Sequence, residues 1–273
     1  MQTEKVHFTK EKETMLVTLY GRALETDQPD PILRDPAAQE AVHRIDYDFE
    51  HLNVKWNDRL AIAARAKMFD LWVEEFLAKN LKANVLHLGC GLDSRLYRIN
   101  PSSDVLWFDV DYPEIIDLRK RLFPERAGYQ MIASSVTEID WLNQVPADRP
   151  TLVVAEGLLY YLKEQEVQSL VKRIVERCPS GQITFDAISK LYLKMQKTNV
   201  GISATGARMW WGVDTPRELE TWDPRIKLVT NLSVMDKDFP NVKKMSGGMR
   251  AVLHALALIP ALKNMGLMLR YNF

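Results

Sequence analysis

One stretch, a third of the way along the chain, limits the possible folds more than any other. Residues Val85-Leu86-His87-Leu88-Gly89-Cys90-Gly91-Leu92-Asp93-Ser94-Arg95 read as a buried strand running into a glycine turn. A second apolar run, Trp107-Phe108-Asp109-Val110-Asp111, follows and ends in a carboxylate. The glycines and this acid lie about 20 residues apart, the interval at which α/β nucleotide-site folds place the carboxylate that grips a ribose. The expectation is an adenosine-cofactor site at the edge of a parallel sheet.

The rest of the chain carries the same alternation of apolar runs and amphipathic stretches. Strands are expected at 84–89, 104–111, 129–135, 151–156, 181–188, 226–236 and 266–273, giving a seven-stranded Rossmann-like α/β sheet with helices on both faces. The clearest helix is 60–79, where Ile62, Phe69, Trp72, Val73, Phe76 and Leu77 recur at helical intervals. That stripe reads as core packing, with Arg65 the residue to watch. The alternation breaks twice. Residues 1–59 form an N-terminal helical extension. Residues 189–225, with Gly201, Gly206, Trp210, Trp211, Gly212, Asp214, Pro216 and Trp222, read as a cap inserted between strands five and six of the sheet. The core is then 60–188, and 226–273 supplies the last two strands around a helix at 248–264 with Pro260 near its end. A single domain over 1–273 is expected.

Composition narrows the partners. The chain has 273 residues, 47% of them hydrophobic, and 36 basic residues balance 36 acidic ones. Such a balance gives no overall field toward nucleic acid or an anionic membrane. Its two cysteines, Cys90 and Cys178, are too few for a disulfide framework or a zinc cluster. Residues 1–12 are charged and lack a signal peptide's apolar core, and no run approaches the roughly 20 apolar residues that span a bilayer. A cytoplasmic enzyme with no metal is expected.

Three segments taken together sharpen the reading: the core Gly-x-Gly-Leu-Asp-x-Arg within Val85 to Arg95, Asp109-Val110-Asp111-Tyr112-Pro113, and Ala155-Glu156-Gly157-Leu158-Leu159-Tyr160-Tyr161-Leu162. Together they resemble the S-adenosylmethionine-dependent methyltransferases of the leucine carboxyl methyltransferase family. Thr18 to Ala23, Ile32 to Pro36 and Trp211 to Leu219 are similar to its tetracenomycin-type branch, the carboxyl O-methyltransferases of polyketide biosynthesis. The resemblance covers nearly the whole chain. It implies the class I methyltransferase fold, S-adenosylmethionine as cofactor with S-adenosylhomocysteine as product, and methyl transfer to a small-molecule carboxylic acid. A protein C-terminus, as in the phosphatase branch, is the variant reading.

Candidate residues follow from the chemistry. Gly89 and Gly91 allow a ligand close to the backbone and tolerate a tight turn. The cofactor's amino-acid tail asks for a carboxylate near its ammonium and a cation near its own carboxylate. Asp93 or Glu156 suits the first need, although Asp93 also reads as a helix cap. Arg65 suits the second, and the resemblance, in which an arginine of this helix reaches the cofactor, favours it. Asp109 and Asp111 face the same side of a strand. The resemblance points to Asp111 for the ribose and leaves Asp109 to backbone amides or Arg95. It also places adenine at Ser135-Val136, where relatives carry Asp-Leu. Tyr160, at the end of the fourth strand, is the candidate catalytic residue, and Tyr20, Arg22, Tyr161, Arg208 and Trp211 are the candidates for acceptor recognition.

A carboxylate acceptor is ionised at neutral pH and needs alignment more than a base. None of His7, His43, His51, His87 and His254 falls in an obvious site motif, and His87 reads as a satisfied core histidine. Two other classes remain open on the residues alone: a nicotinamide-dependent oxidoreductase, weakened because Asp93-Ser94 stands where the dinucleotide fingerprint wants its third glycine, and a binding module that keeps the fold without the chemistry.

Overall fold

The computed structural model describes residues 4–5, 11–195 and 208–273. Its centre is a seven-stranded sheet of β3 (Asn84–Leu88), β4 (Leu106–Asp111), β5 (Tyr129–Ala133), β6 (Thr151–Ala155), β7 (Gly181–Ile188), β8 (Lys227–Ser233) and β9 (Gly266–Asn272). The spatial order is β5-β4-β3-β6-β7-β9-β8. The pairings from β5 to β7 are parallel, and β9 runs antiparallel to both of its neighbours. The expected strands all form, most of them a residue or more shorter. A two-residue parallel pair, β1 (Glu4–Lys5) with β2 (Ile45–Asp46), was not expected from the sequence.

Strand periodicity divides the core between the two faces. Leu86, Phe108, Val110 and Val153 point to the side covered by α6 (Glu164–Arg177), whose Val167, Leu170, Val171 and Ile174 meet them. Val85, Trp107, Leu152 and Val154 point to the side covered by α3 (Trp56–Lys79), through Phe69, Trp72, Val73 and Phe76. Burial on both faces explains why these strands read as unbroken apolar runs. Helix α3 begins four residues before the expected start, because the Asp58 carboxylate accepts the Lys55 backbone N–H and closes the first turn.

The N-terminal extension makes a third cluster. Leu16, Leu19 and Ala23 of α1 (Glu11–Thr26) join Ala38 and Ala41 of α2 (Pro36–Arg44) against Leu92, Leu118, Leu122 and Phe123. Helix α1 therefore lies on the glycine turn and the helix after β4, α5 (Pro113–Leu122). Gly21 lies at its close approach to α3, where a Cβ would stand 2.7 Å from Ile62 Cδ1 and the isoleucine tip would have to shift.

Two expectations change. The helix expected at 248–264 is broken into Gly247–Ala257 and Pro260–Lys263, since the residue before a proline is driven out of the helical region and Ile259 is extended. Of the cap, Gly201 and Gly206 lie outside the described residues. Its later part is fastened to the sheet, with Trp210 N–H and Trp211 N–H donating to the Tyr160 carbonyl at 2.7 and 3.3 Å and Val213 N–H to that of Ile188 at 2.7 Å.

Candidate active site

The glycine turn leaves β3 with both glycines in the left-handed region, Gly89 at φ 58° and Gly91 at φ 49°. A Cβ on Gly89 would approach Leu158 Cδ1 to 2.7 Å, so the turn and the segment after β6 are in direct contact. Asp111, at the end of β4, braces the turn: its Oδ2 accepts the Gly91 N–H at 2.7 Å and its Oδ1 accepts the Tyr112 N–H at 2.7 Å. Burial pushes the Asp111 carboxyl upward, and these two amide bonds oppose the shift.

Four of the expected residues meet in one buried group. Arg65 donates from Nε to Glu156 Oε1 at 2.9 Å, and Arg95 donates to Glu156 Oε2. Arg95 also pairs with Asp93 Oδ2 at 3.1 Å, which links the glycine turn to the end of β6. The Tyr160 ring stands beside Arg65, and burial, with Asp186 nearby, pushes its hydroxyl well above the usual phenol range. Burial opposes ionisation of Glu156, but Arg65 and Arg95 outweigh it and hold the carboxyl below its ordinary value. In the same way Arg95, Arg98 and Arg22 hold Asp93 well below the carboxylate range against its burial. Asp93 caps no helix; Ser94 occupies that position for α4 (Arg95–Ile99).

Asp186 of β7, not expected from the sequence, completes the group, accepting from Arg65 Nη1 at 2.9 Å and from the Gly157 N–H at 2.6 Å. Behind it, Asp70 on α3 binds Arg95 Nε at 2.7 Å and Arg98 Nε at 2.8 Å. Arg98 carries the network on to Asp35, the N-cap of α2, at 2.7 Å.

Other expectations are redirected. Arg22 is 2% exposed and bonded to Asp35 Oδ2 at 3.1 Å and to the Leu92 carbonyl at 2.9 Å, so it pins α1 to the glycine turn. Trp211 is likewise turned inward. Its ring is 2% exposed and packs on Phe185 and Trp222, with centroids 5.8 and 5.9 Å away. Tyr20 packs on Phe49 at 5.3 Å within the N-terminal cluster. Asp109 takes Arg119 as its cation, not Arg95, and also accepts from Tyr129 Oη at 2.6 Å and Trp107 Nε1 at 2.9 Å. His87 is the satisfied core histidine expected, with Asp109 Oδ1 on one side and Arg95 Nη1 on the other, each at 3.2 Å. Ser135 Oγ is turned to Thr137 Oγ1 at 2.8 Å, and the Val136 side chain is buried while its carbonyl accepts from Trp141 Nε1. Tyr161 packs on Tyr160 at 4.7 Å, and the exposed Arg208 stacks 3.9 Å from the Trp210 ring centroid.

A parallel sheet of this order, its last strand antiparallel, with a glycine turn and an acid at neighbouring strand ends, is the class I methyltransferase architecture. A crystal structure of a candidate methyltransferase from Thermobifida fusca shares it with a TM-score of 0.62 at 14% identity, covering 96% of this chain and 94% of that one. The leucine carboxyl methyltransferase family model matches residues 15–175, and the chain belongs to that family. It is 42% identical over 275 residues, 99% of each chain, to the tetracenomycin polyketide synthesis O-methyltransferase TcmP of Streptomyces glaucescens. It is 34% identical over 252 residues, 85% of each, to the S-adenosyl-L-methionine-dependent methyltransferase dpfgK of Gibberella zeae. The protein is thus an S-adenosylmethionine-dependent O-methyltransferase. These relatives lend no support to the nicotinamide-dependent alternative.

Proposed function

We propose that this enzyme esterifies a carboxylate of a small, polyketide-like aromatic acid. One observation carries the choice of a carboxylate. The ionisable side chains seen around Tyr160 are already committed, with Glu156 and Asp186 on Arg65 and the Tyr160 hydroxyl held protonated. Such a site is poorly equipped to take a proton from a hydroxyl acceptor, whereas a carboxylate arrives ionised and asks only for alignment. The acceptor class is supported by the similarity to a polyketide-synthesis enzyme along 99% of each chain.

The donor set suits the cofactor. The glycine turn holds Gly89 and Gly91 in the left-handed region that side chains disfavour, a carboxylate stands at the ribose end and a guanidinium at the tail end. When bound, S-adenosylmethionine supplies a sulfonium-activated methyl group. We assign Arg65 to its carboxylate, Glu156 with Asp93 to its ammonium, Gly89 and Gly91 to close backbone approach, Asp111 to the ribose hydroxyls, and Ser135 with Val136 to the adenine edge. Tyr160 borders the transfer position, and Tyr161 and Arg208 are the acceptor contacts, the latter as the cation for an anionic ring substituent. No described helix is long and apolar enough to cross a membrane. We place the enzyme in the cytoplasm, a compartment that suits two buried, unpaired cysteines.

The test is an incubation with S-adenosylmethionine carrying a tritiated methyl group and a panel of aromatic polyketide acids paired with their decarboxylated phenols. Methyl esters release volatile methanol in mild alkali and aryl ethers do not. Alkali-labile label with the acids alone supports carboxylate methylation; stable label transferred to the phenols refutes it.

A further inference from the structure

Asp186 is assigned no contact with cofactor or acceptor in the reading above, yet both of its carboxylate oxygens are held in place at the rim of the sheet. It follows Phe185, the register partner of Ala155, and so stands on β7 beside Glu156, the first residue past the end of β6. Its side chain is 11% exposed. One oxygen, Oδ1, is anchored by the Gly157 N–H at 2.6 Å, a bond that a left-handed residue at φ 67° presents to it. That backbone anchor fixes the carboxylate's rotamer and leaves Oδ2 aimed at Arg65 Nη1, 2.9 Å away.

The consequence falls on Arg65. Its guanidinium is gripped on two different edges, Nε by Glu156 just past β6 and Nη1 by Asp186 on β7. A single contact would leave the planar group free to swing about its long side chain; two contacts from separate strands fix its plane. At 22% exposure, Arg65 is the most open member of this trio.

We propose that Asp186 is a positioning residue that sets the orientation of Arg65 for the cofactor's carboxylate. This rests on Arg65 being the cation of the cofactor tail. Asp186 then touches no reacting atom. It acts through Arg65, and its loss raises the KM for S-adenosylmethionine while leaving kcat at saturation nearly unchanged.

A double-mutant cycle on the full-length enzyme tests this, with S-adenosylhomocysteine affinity read by calorimetry. Asp186→Asn is expected to weaken binding about tenfold, the scale of a lost charged hydrogen bond. In an Arg65→Ala background the same substitution should cost less than about twofold, because the group it orients is gone. Undiminished loss in that background, or wild-type affinity of Asp186→Asn alone, overturns the proposal. Normal affinity of Arg65→Ala alone overturns instead the assignment of Arg65 to the cofactor tail, so the two failures are distinct. If Asp186→Asn does not fold, Asp186→Glu, which keeps the charge on a longer arm, is read in the same cycle with the same expectation.

Discussion

Two clusters of buried charge are built around neighbouring strands of this sheet, and they differ in how completely they are closed. Around Asp109, on β4, every approach is filled: Arg119 and Tyr129 reach one oxygen, Trp107 and His87 the other, and Asp109 and Arg119 are both fully buried. Burial pulls that carboxyl upward, but Arg119 and the bonds from His87 and Tyr129 outweigh it and hold it at about 2. Just past β6 and within β7, Glu156 and Asp186 are arranged with comparable care around Arg65, yet the cation keeps 22% of its side chain exposed. The closed cluster serves the fold, its one donor without a partner among the described residues, Arg119 Nε, being buried. The open one holds a charge in a fixed orientation at the surface, as recognition of an ionised ligand requires.

The largest effect should come from breaking the closed cluster. Asp109→Ala strands the buried Arg119 guanidinium, and removal of one partner of a buried pair costs about 3–5 kcal/mol. Urea unfolding should show that loss; a change below about 1 kcal/mol would mean that the cluster is no more structural than the rim. Arg65→Ala should behave oppositely. Glu156 keeps Arg95 and water reaches the vacated space, so the stability loss should stay under about 2 kcal/mol. Cofactor affinity, by contrast, should fall at least about tenfold by calorimetry.

How far this contrast could be read from sequence depends on the distance between partners. The strands were legible because burial on both faces makes each an unbroken apolar run, and Asp111 and Glu156 stood out because each closes such a run at a site edge. Asp186 follows Ile183-Thr184-Phe185 in the same way, but its strand continues to Ile188, so the acid reads as interior. The partners of Arg95 lie 2 to 61 positions away, on α3, the glycine turn and the end of β6, and no local pattern records which arginine meets which acid. That is why the sequence offers Asp109 backbone amides or Arg95 as partners when Arg119 is the cation it meets. Trp211 illustrates a second limit. Its segment is rich in aromatics, as a pocket cap would be, but the two amide bonds to the Tyr160 carbonyl turn the ring into the core, and composition carries no information about which way a ring faces.

Acid titration should separate the clusters next. An Asp that ionises near 3.9 when unfolded and about 2 when native contributes stability that is complete above about pH 4 and is lost as pH falls through 2. Asp93 and Glu156, also depressed, act in the same direction. Asp111 and Asp186, raised mainly by burial, act in the opposite one, favouring the native state as they take up protons. Asp109→Asn should therefore flatten the stability slope between pH 4 and 2, by at most about 1.4 kcal/mol per pH unit. Asp186→Asn should not flatten it; equal flattening by both would erase the distinction between closed and open clusters.

The smallest effect tests the outer limit of the open region. Arg208 is exposed and lies against Trp210, itself 45% exposed, and no ion pair ties its guanidinium down among the described residues. A stacked pair at such exposure contributes about 0.5–1 kcal/mol to holding the arginine in place. Arg208→Ala should accordingly leave unfolding within about 0.5 kcal/mol of wild type, as for most surface substitutions. If this cation meets the anionic acceptor, the acceptor's KM should rise by a few-fold, the scale of a solvent-exposed charge contact. The rise should shrink in high salt, since an exposed pair is screened where a buried one is not. The KM for S-adenosylmethionine should not move, because the proposed cation of the tail is Arg65. A rise in both constants would place Arg208 in the cofactor seat and extend the open region across the inserted segment; no rise in either would confine recognition to the ends of β6 and β7.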